Sequence, residues 1–156
     1  MTEEPDNTLL DRALAETRRT GEISLASAVV AINGGLHLLG VAQLVYFVRF
    51  FGAYRVVPGA IAAFGIGLIV LGSKIYGQRL WAVRSALVLS AGGALAMGGW
   101  FLLTAGSGLF SPLLMLLPAA SVVTAICAGL AHGPCARTTA ARQRAAAAGL
   151  DIDLGA

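Results

Sequence analysis

VVPGAIAAFGIGLIVLGSKIYGQRLWAVRSALVLSAGGALAMGGWFLLTA, residues 56–105, is the stretch on which the fold turns. It holds two apolar runs, about 56–73 and 82–105, joined by a short turn that carries Lys74, Arg79 and Arg84. A helix rising about 1.5 Å per residue needs roughly 20 mainly apolar residues to cross ~30 Å of hydrocarbon. Both runs are of that order, so each reads as a membrane-spanning helix. A turn this short makes the two helices antiparallel neighbours. Pro58 falls in the first turn of its helix, where a missing N–H costs little.

Outward from this hairpin, two further segments read the same way, residues 24–48 and 112–131. The whole chain has 156 residues, 57% hydrophobic and only 12% charged, against about 25% charged in an ordinary soluble domain. A soluble four-helix bundle would need polar outer faces, and these segments have none. The sequence therefore predicts an all-α membrane protein with four antiparallel transmembrane helices within residues 23–132. Short helical tails, residues 1–22 and 133–156, are expected on the cytoplasmic side. A cleaved signal peptide is not expected, because the first 22 residues are polar and net acidic. Gly133-Pro134 is expected to close the fourth span. Pro118 lies within it and predicts a kink whose freed carbonyl is served by Ser121 or Thr124.

Charge placement sets the orientation. Three arginines against six acids give residues 1–22 a charge of −3, residues 23–150 carry eight cations and no acid, and two aspartates close the chain, for a net +3. Arg12, Arg18, Arg19, Lys74, Arg79, Arg84, Arg137, Arg142 and Arg144 flank one side of the spans, and only Arg49 and Arg55 flank the other. By the positive-inside rule both termini are expected in the cytoplasm. Lys74, Arg79, Arg84, Arg137, Arg142 and Arg144 are expected to contact anionic lipid headgroups. Tyr46, Phe47, Phe50, Phe51, Tyr54, Trp100, Phe101 and Phe110 would mark the outer boundary, and Trp81 the inner one. No basic face or aromatic-basic motif points to nucleic acid.

In the N-terminal tail, residues 8–20 read as a short helix with Thr8 and Asp11 as a capping box, Leu10, Ala13, Leu14 and Thr17 on one stripe, and Gly21 as its stop. The Ala-rich run 136–148 should also be helical by propensity.

Small residues recur every four positions in three spans: Gly59, Ala63 and Gly67; Ser90, Ala94 and Gly98; Ser121, Ala125 and Gly129. Such stripes let helix backbones approach in lipid. They read either as packing within one chain or as an interface between chains.

The polar residues within the spans are the functional pointers. Asn33, His37 and Gln43 lie in the first span, and His37 is the only ionisable side chain deep in any span. In one reading His37 is a neutral histidine bonded to Asn33 or to a hydroxyl on another helix, fixing packing. In the other, Asn33, His37 and Gln43 line a ligand site or a polar path.

Several chemistries find no support in the chain. His37, roughly 20 Å from the cytoplasmic edge, and His132, at that edge, sit at different depths for one haem iron. Cys127, His132 and Cys135 supply three metal ligands where a closed zinc site needs four. No CxxC pair, no phosphate-cradling Gly-Lys-Ser/Thr loop and no Ser-His-Asp triad is present. No carboxylate lies within a span to drive proton antiport. No cofactor or metal is expected.

The segment LGSKIYGQRLWAVR, residues 71–84, leading into SALVLS at 85–90, resembles a feature of small uncharacterised bacterial four-helix inner-membrane proteins: a glycine-ended second span, a basic turn, then Trp-Ala and a third span. The resemblance implies a bacterial inner membrane and carries over no activity. The expected function is a non-enzymatic accessory or scaffold protein that packs against itself or other membrane subunits. The alternative is a small oligomeric transporter or channel with a path lined by the first span.

Overall fold

The computed structural model describes Ala15 and residues 20–51, 56–104, 112–147 and 149. Among these, four helices follow one another: α1 (Gly21–Phe51), α2 (Val56–Tyr76), α3 (Leu80–Thr104) and α4 (Pro112–Ala147). Each contains a stretch long and apolar enough to cross a membrane, so the chain is a four-helix membrane protein. The expected helix at 8–20 and the acidic C-terminal end lie outside the described residues, apart from Ala15, which is helical. The side chains of the outer aromatic cluster and of Arg49 and Arg55 lie outside them too.

The helices run alternately up and down. Ser27 of α1 donates to the Gly72 carbonyl of α2 at 2.8 Å, and Gly34 lies against Gly65. The α1 number rises from 27 to 34 as the α2 number falls from 72 to 65, as antiparallel packing requires. Arg84 of α3 reaches His132 of α4, and Gln78 before α3 reaches Arg142 of α4. A core of Ile23, Ala26, Val30, Leu68, Leu71, Ile75, Ala82, Val83, Ala86, Ala128, Ala131 and Cys135 joins all four helices. Leu25, Ile32, Leu39, Val88, Leu95, Leu102 and Leu130 point outward, which suits a hydrocarbon solvent and no aqueous one.

The α1–α2 seam is the closest approach. A Cβ on Gly34 would stand 2.5 Å from the Gly65 carbonyl oxygen, and one on Gly65 would stand 2.8 Å from that of Gly34. A Cβ on Gly72 would meet the Ser27 carbonyl at 3.0 Å. Only glycine fits between backbones this near.

Three boundaries differ from expectation. Gly21, expected to stop a preceding helix, is the first residue of α1; Glu22 in that first turn complements the positive end of the helix dipole. Next, α2 runs past Ser73 to Tyr76 and ends in a Schellman-type cap, with Arg79 N–H on the Lys74 carbonyl (3.1 Å) and Gln78 N–H on that of Ile75 (2.8 Å). The left-handed residue of this cap is Gln78, at φ 58°, and not the neighbouring Gly77. A non-glycine residue there costs roughly 1–2 kcal/mol. Its buried side chain compensates by accepting from Arg142 Nη2 at 3.4 Å.

The third difference is the largest. Gly133-Pro134 does not close the fourth helix; α4 runs on without a break through Pro118 and Pro134 to Ala147. An internal proline costs about 3 kcal/mol. Two terms offset it. The alanine-rich run beyond has the highest helix propensity. In addition Cys135, Thr138, Ala141 and Ala145 are all buried, so the packed face continues past the proline. Thr138 and Thr139 both donate to the Cys135 carbonyl, at 3.0 and 2.8 Å. Neither hydroxyl expected to serve the carbonyl freed by Pro118 does so: Thr124 donates to the Ala120 carbonyl at 2.7 Å, and Ser121 Oγ has no protein partner.

Candidate functional site

Asn33 and His37 are four residues apart on α1 and share one face. Both are enclosed, at 1% and 0% exposure. His37 Nδ1 lies 2.8 Å from the Asn33 main-chain carbonyl. A carbonyl only accepts, so Nδ1 carries the hydrogen and Nε2 of the neutral ring is an acceptor. The imidazole stands against Phe64 of α2, centroids 4.9 Å apart and tilted by 52°. Phe64 in turn fills the space beside Gly93 of α3, where a Cβ would meet its Cζ at 2.9 Å.

Gln43 does not join them. Six residues beyond His37 is about 240° around a helix, and Gln43 is exposed on a different face. The three polar residues of α1 therefore do not line one path.

Three further polar residues, on α3 and α4, are fully enclosed. Ser90 on α3 and Ser121 and Thr124 on α4 are all at 0% exposure. Ser90 Oγ, Ser121 Oγ, both polar atoms of the Asn33 amide and His37 Nε2 have no hydrogen-bond partner in the protein. A buried polar group left unmade costs about 1–3 kcal/mol. This is an unusual concentration of such groups in so apolar a chain.

The four-residue stripes divide between inside and outside. Four residues advance a helix about 400°, so a three-member stripe drifts about 80° around the axis. Ser90 and Ser121 face inward, Ala94, Gly98 and Ala125 are half-buried, and Gly129 is exposed. On α2 the stripe looks outward: Gly59 and Ala63 are exposed and Gly67 is half-buried. A Cβ on Gly59, Gly67, Gly98 or Gly129 would meet nothing within 4 Å. The glycines that hold α1 to α2 are instead Gly34, Gly65 and Gly72, which sequence reading did not single out. Their signal was available: Ser27 and Gly34, like Gly65 and Gly72, are seven apart, the repeat that keeps residues on one seam.

At one end of the bundle Lys74, Arg79, Arg84, Arg137 and Arg144 are exposed and Arg142 is half-buried. Arg84 Nε donates to His132 Nε2 at 3.4 Å. Glu22 is the one acid among the described residues, and it too is exposed. Trp81 is exposed beside these cations. Cys127 and Cys135 are both free thiols, and among the described residues no three of His, Cys, Asp and Glu could hold a metal ion. Against protein-family models, curated proteins and solved structures alike, the chain matches none.

Proposed function

We propose that this protein is a non-enzymatic membrane scaffold or accessory subunit of a bacterial inner membrane, packing against a second copy or another membrane subunit. The observation that carries this reading is the division of the glycines. The α1–α2 seam consumes Gly34, Gly65 and Gly72, while Gly59, Ala63 and Gly67 leave open space on the outer face of α2. Lipid tails fill such a hollow poorly, and a second helix fills it well. The cations at one end support a cytoplasmic placement of both termini, with Lys74, Arg79, Arg84, Arg137, Arg142 and Arg144 at anionic headgroups. Labelling of single cysteines from each side of the membrane tests that orientation.

The alternative, a small oligomeric transporter or channel, draws less support. Its path would need Asn33, His37 and Gln43 together, and Gln43 faces elsewhere while His37 is enclosed.

Purification in mild detergent with mass measurement tests the scaffold reading. The expected result is a dimer or a defined complex, which Ala63→Leu or Gly67→Leu dissociates without unfolding the chain. A monodisperse monomer, or a complex indifferent to both substitutions, would overturn it.

A further inference from the structure

These buried polar residues come from three helices, and three interhelical contacts fix their relative heights. Gly34 meets Gly65, Phe64 meets Gly93 and Arg84 meets His132. Equal steps along antiparallel helices from these contacts put Asn33 level with Ala91 and Ala125, within one residue of Ser90 and Thr124. The same steps put His37 level with Ser121. Two polar tiers therefore lie one helical turn apart, Asn33 with Ser90 and Thr124, and His37 with Ser121. All five side chains are at least 98% buried, so all face the interior at the middle of the spans.

We propose that Asn33, His37, Ser90 and Ser121 form a binding site for a small cluster of water molecules within the bundle. The unpartnered atoms set the chemistry of the occupant. His37 Nε2 and Asn33 Oδ1 need donors, Asn33 Nδ2 needs acceptors, and the hydroxyls of Ser90 and Ser121 serve as either. The occupant must therefore both donate and accept. It is also neutral: no carboxylate occurs between Ile23 and Leu150, so a cation here would stand unpaired in a medium of low dielectric. An anion would find no cation either, since among the described residues Lys74, Arg79, Arg84, Arg137, Arg142 and Arg144 all lie outside these tiers. Water meets each requirement, and internal waters characteristically bridge two to four such groups.

The test uses the full chain in lipid bilayers, labelled with ¹³C and ¹⁵N, and water itself as the probe. Solid-state NMR with magnetisation transfer from water should show strong transfer to the Asn33 side-chain amide and to the His37 ring, with hydrogen on Nδ1. The double substitution Ser90→Ala, Ser121→Ala should weaken that transfer several-fold while His132, at the basic end, keeps its own. His132→Gln assigns the two histidines. No transfer to Asn33 and His37 in the unaltered chain would overturn the proposal. So would transfer that the double substitution leaves unchanged, or a direct bond from a serine hydroxyl to His37 Nε2.

Discussion

Alanine at position 34 should separate two helices that alanine at position 35 leaves alone. The Cβ of Gly34→Ala would stand 2.5 Å from the Gly65 carbonyl oxygen, 2.8 Å from Ile69 Cγ1 and 3.0 Å from Ile69 N. A comfortable carbon–oxygen approach is about 3.3 Å or more. The nearest obstacle is backbone, which has no rotamer to change, so the seam must open by most of an ångström. Overpacking of this kind costs about 1–3 kcal/mol. Opening also lengthens the Ser27–Gly72 hydrogen bond of 2.8 Å two turns away. Against this, alanine gains about 1 kcal/mol of helix propensity over glycine. The overpacking term wins, and a net loss of up to about 2 kcal/mol is expected. A Cβ on Gly35 meets nothing within 4 Å, so Gly35→Ala retains the propensity gain alone. Titration of the detergent-solubilised protein with sodium dodecyl sulfate, followed by tryptophan fluorescence, measures both. Gly34→Ala should unfold at lower dodecyl sulfate and Gly35→Ala at equal or higher. Equal midpoints for the two would refute the close seam.

Other outcomes follow from the same geometry. Ser27→Ala removes the hydroxyl bond to Gly72 and should cost about 0.6 kcal/mol, the usual worth of an interhelical bond in lipid; an unchanged midpoint would mean the hydroxyl serves its own helix. Gln78→Ala keeps the left-handed φ of 58° but loses the bond to Arg142, and should be less stable than Gln78→Gly, which sheds a conformational cost of roughly 1–2 kcal/mol. The reverse order would show that the 3.4 Å contact to Arg142 does not hold the turn. Spin labels at Leu130 and Gln143, both exposed and on either side of Pro134, should report backbone positions about 20 Å apart in a narrow distribution, as a continuous helix requires. A broad or much shorter distribution would show α4 broken at Gly133-Pro134.

The reading of individual residues divides along a physical line. Membrane crossing was legible because it depends on the sum of apolar transfer over some twenty residues, and no single neighbour changes that sum. Residues 56–105 therefore read correctly as two antiparallel helices about a basic turn. The path through Pro134 was not legible, because proline weakens a helix locally while the burial of Thr138, Ala141 and Ala145 that outweighs it belongs to other segments. The candidate site behaved likewise. Asn33 and His37 stood out as polar residues within a span, but their companions Ser90 and Ser121 looked like small packing residues of no distinct role.

Composition and hydropathy were enough to establish four helices in lipid, since the cost of exposing a peptide group to hydrocarbon leaves a long apolar run no other spanning form. Which glycines touch, which stripe looks outward and which polar atoms lie sealed together required the folded chain. Those properties depend on rotation about each helix axis. Rotation is set by contacts between helices distant in sequence, where a shift of one residue turns a side chain through about 100°, from the core to the lipid.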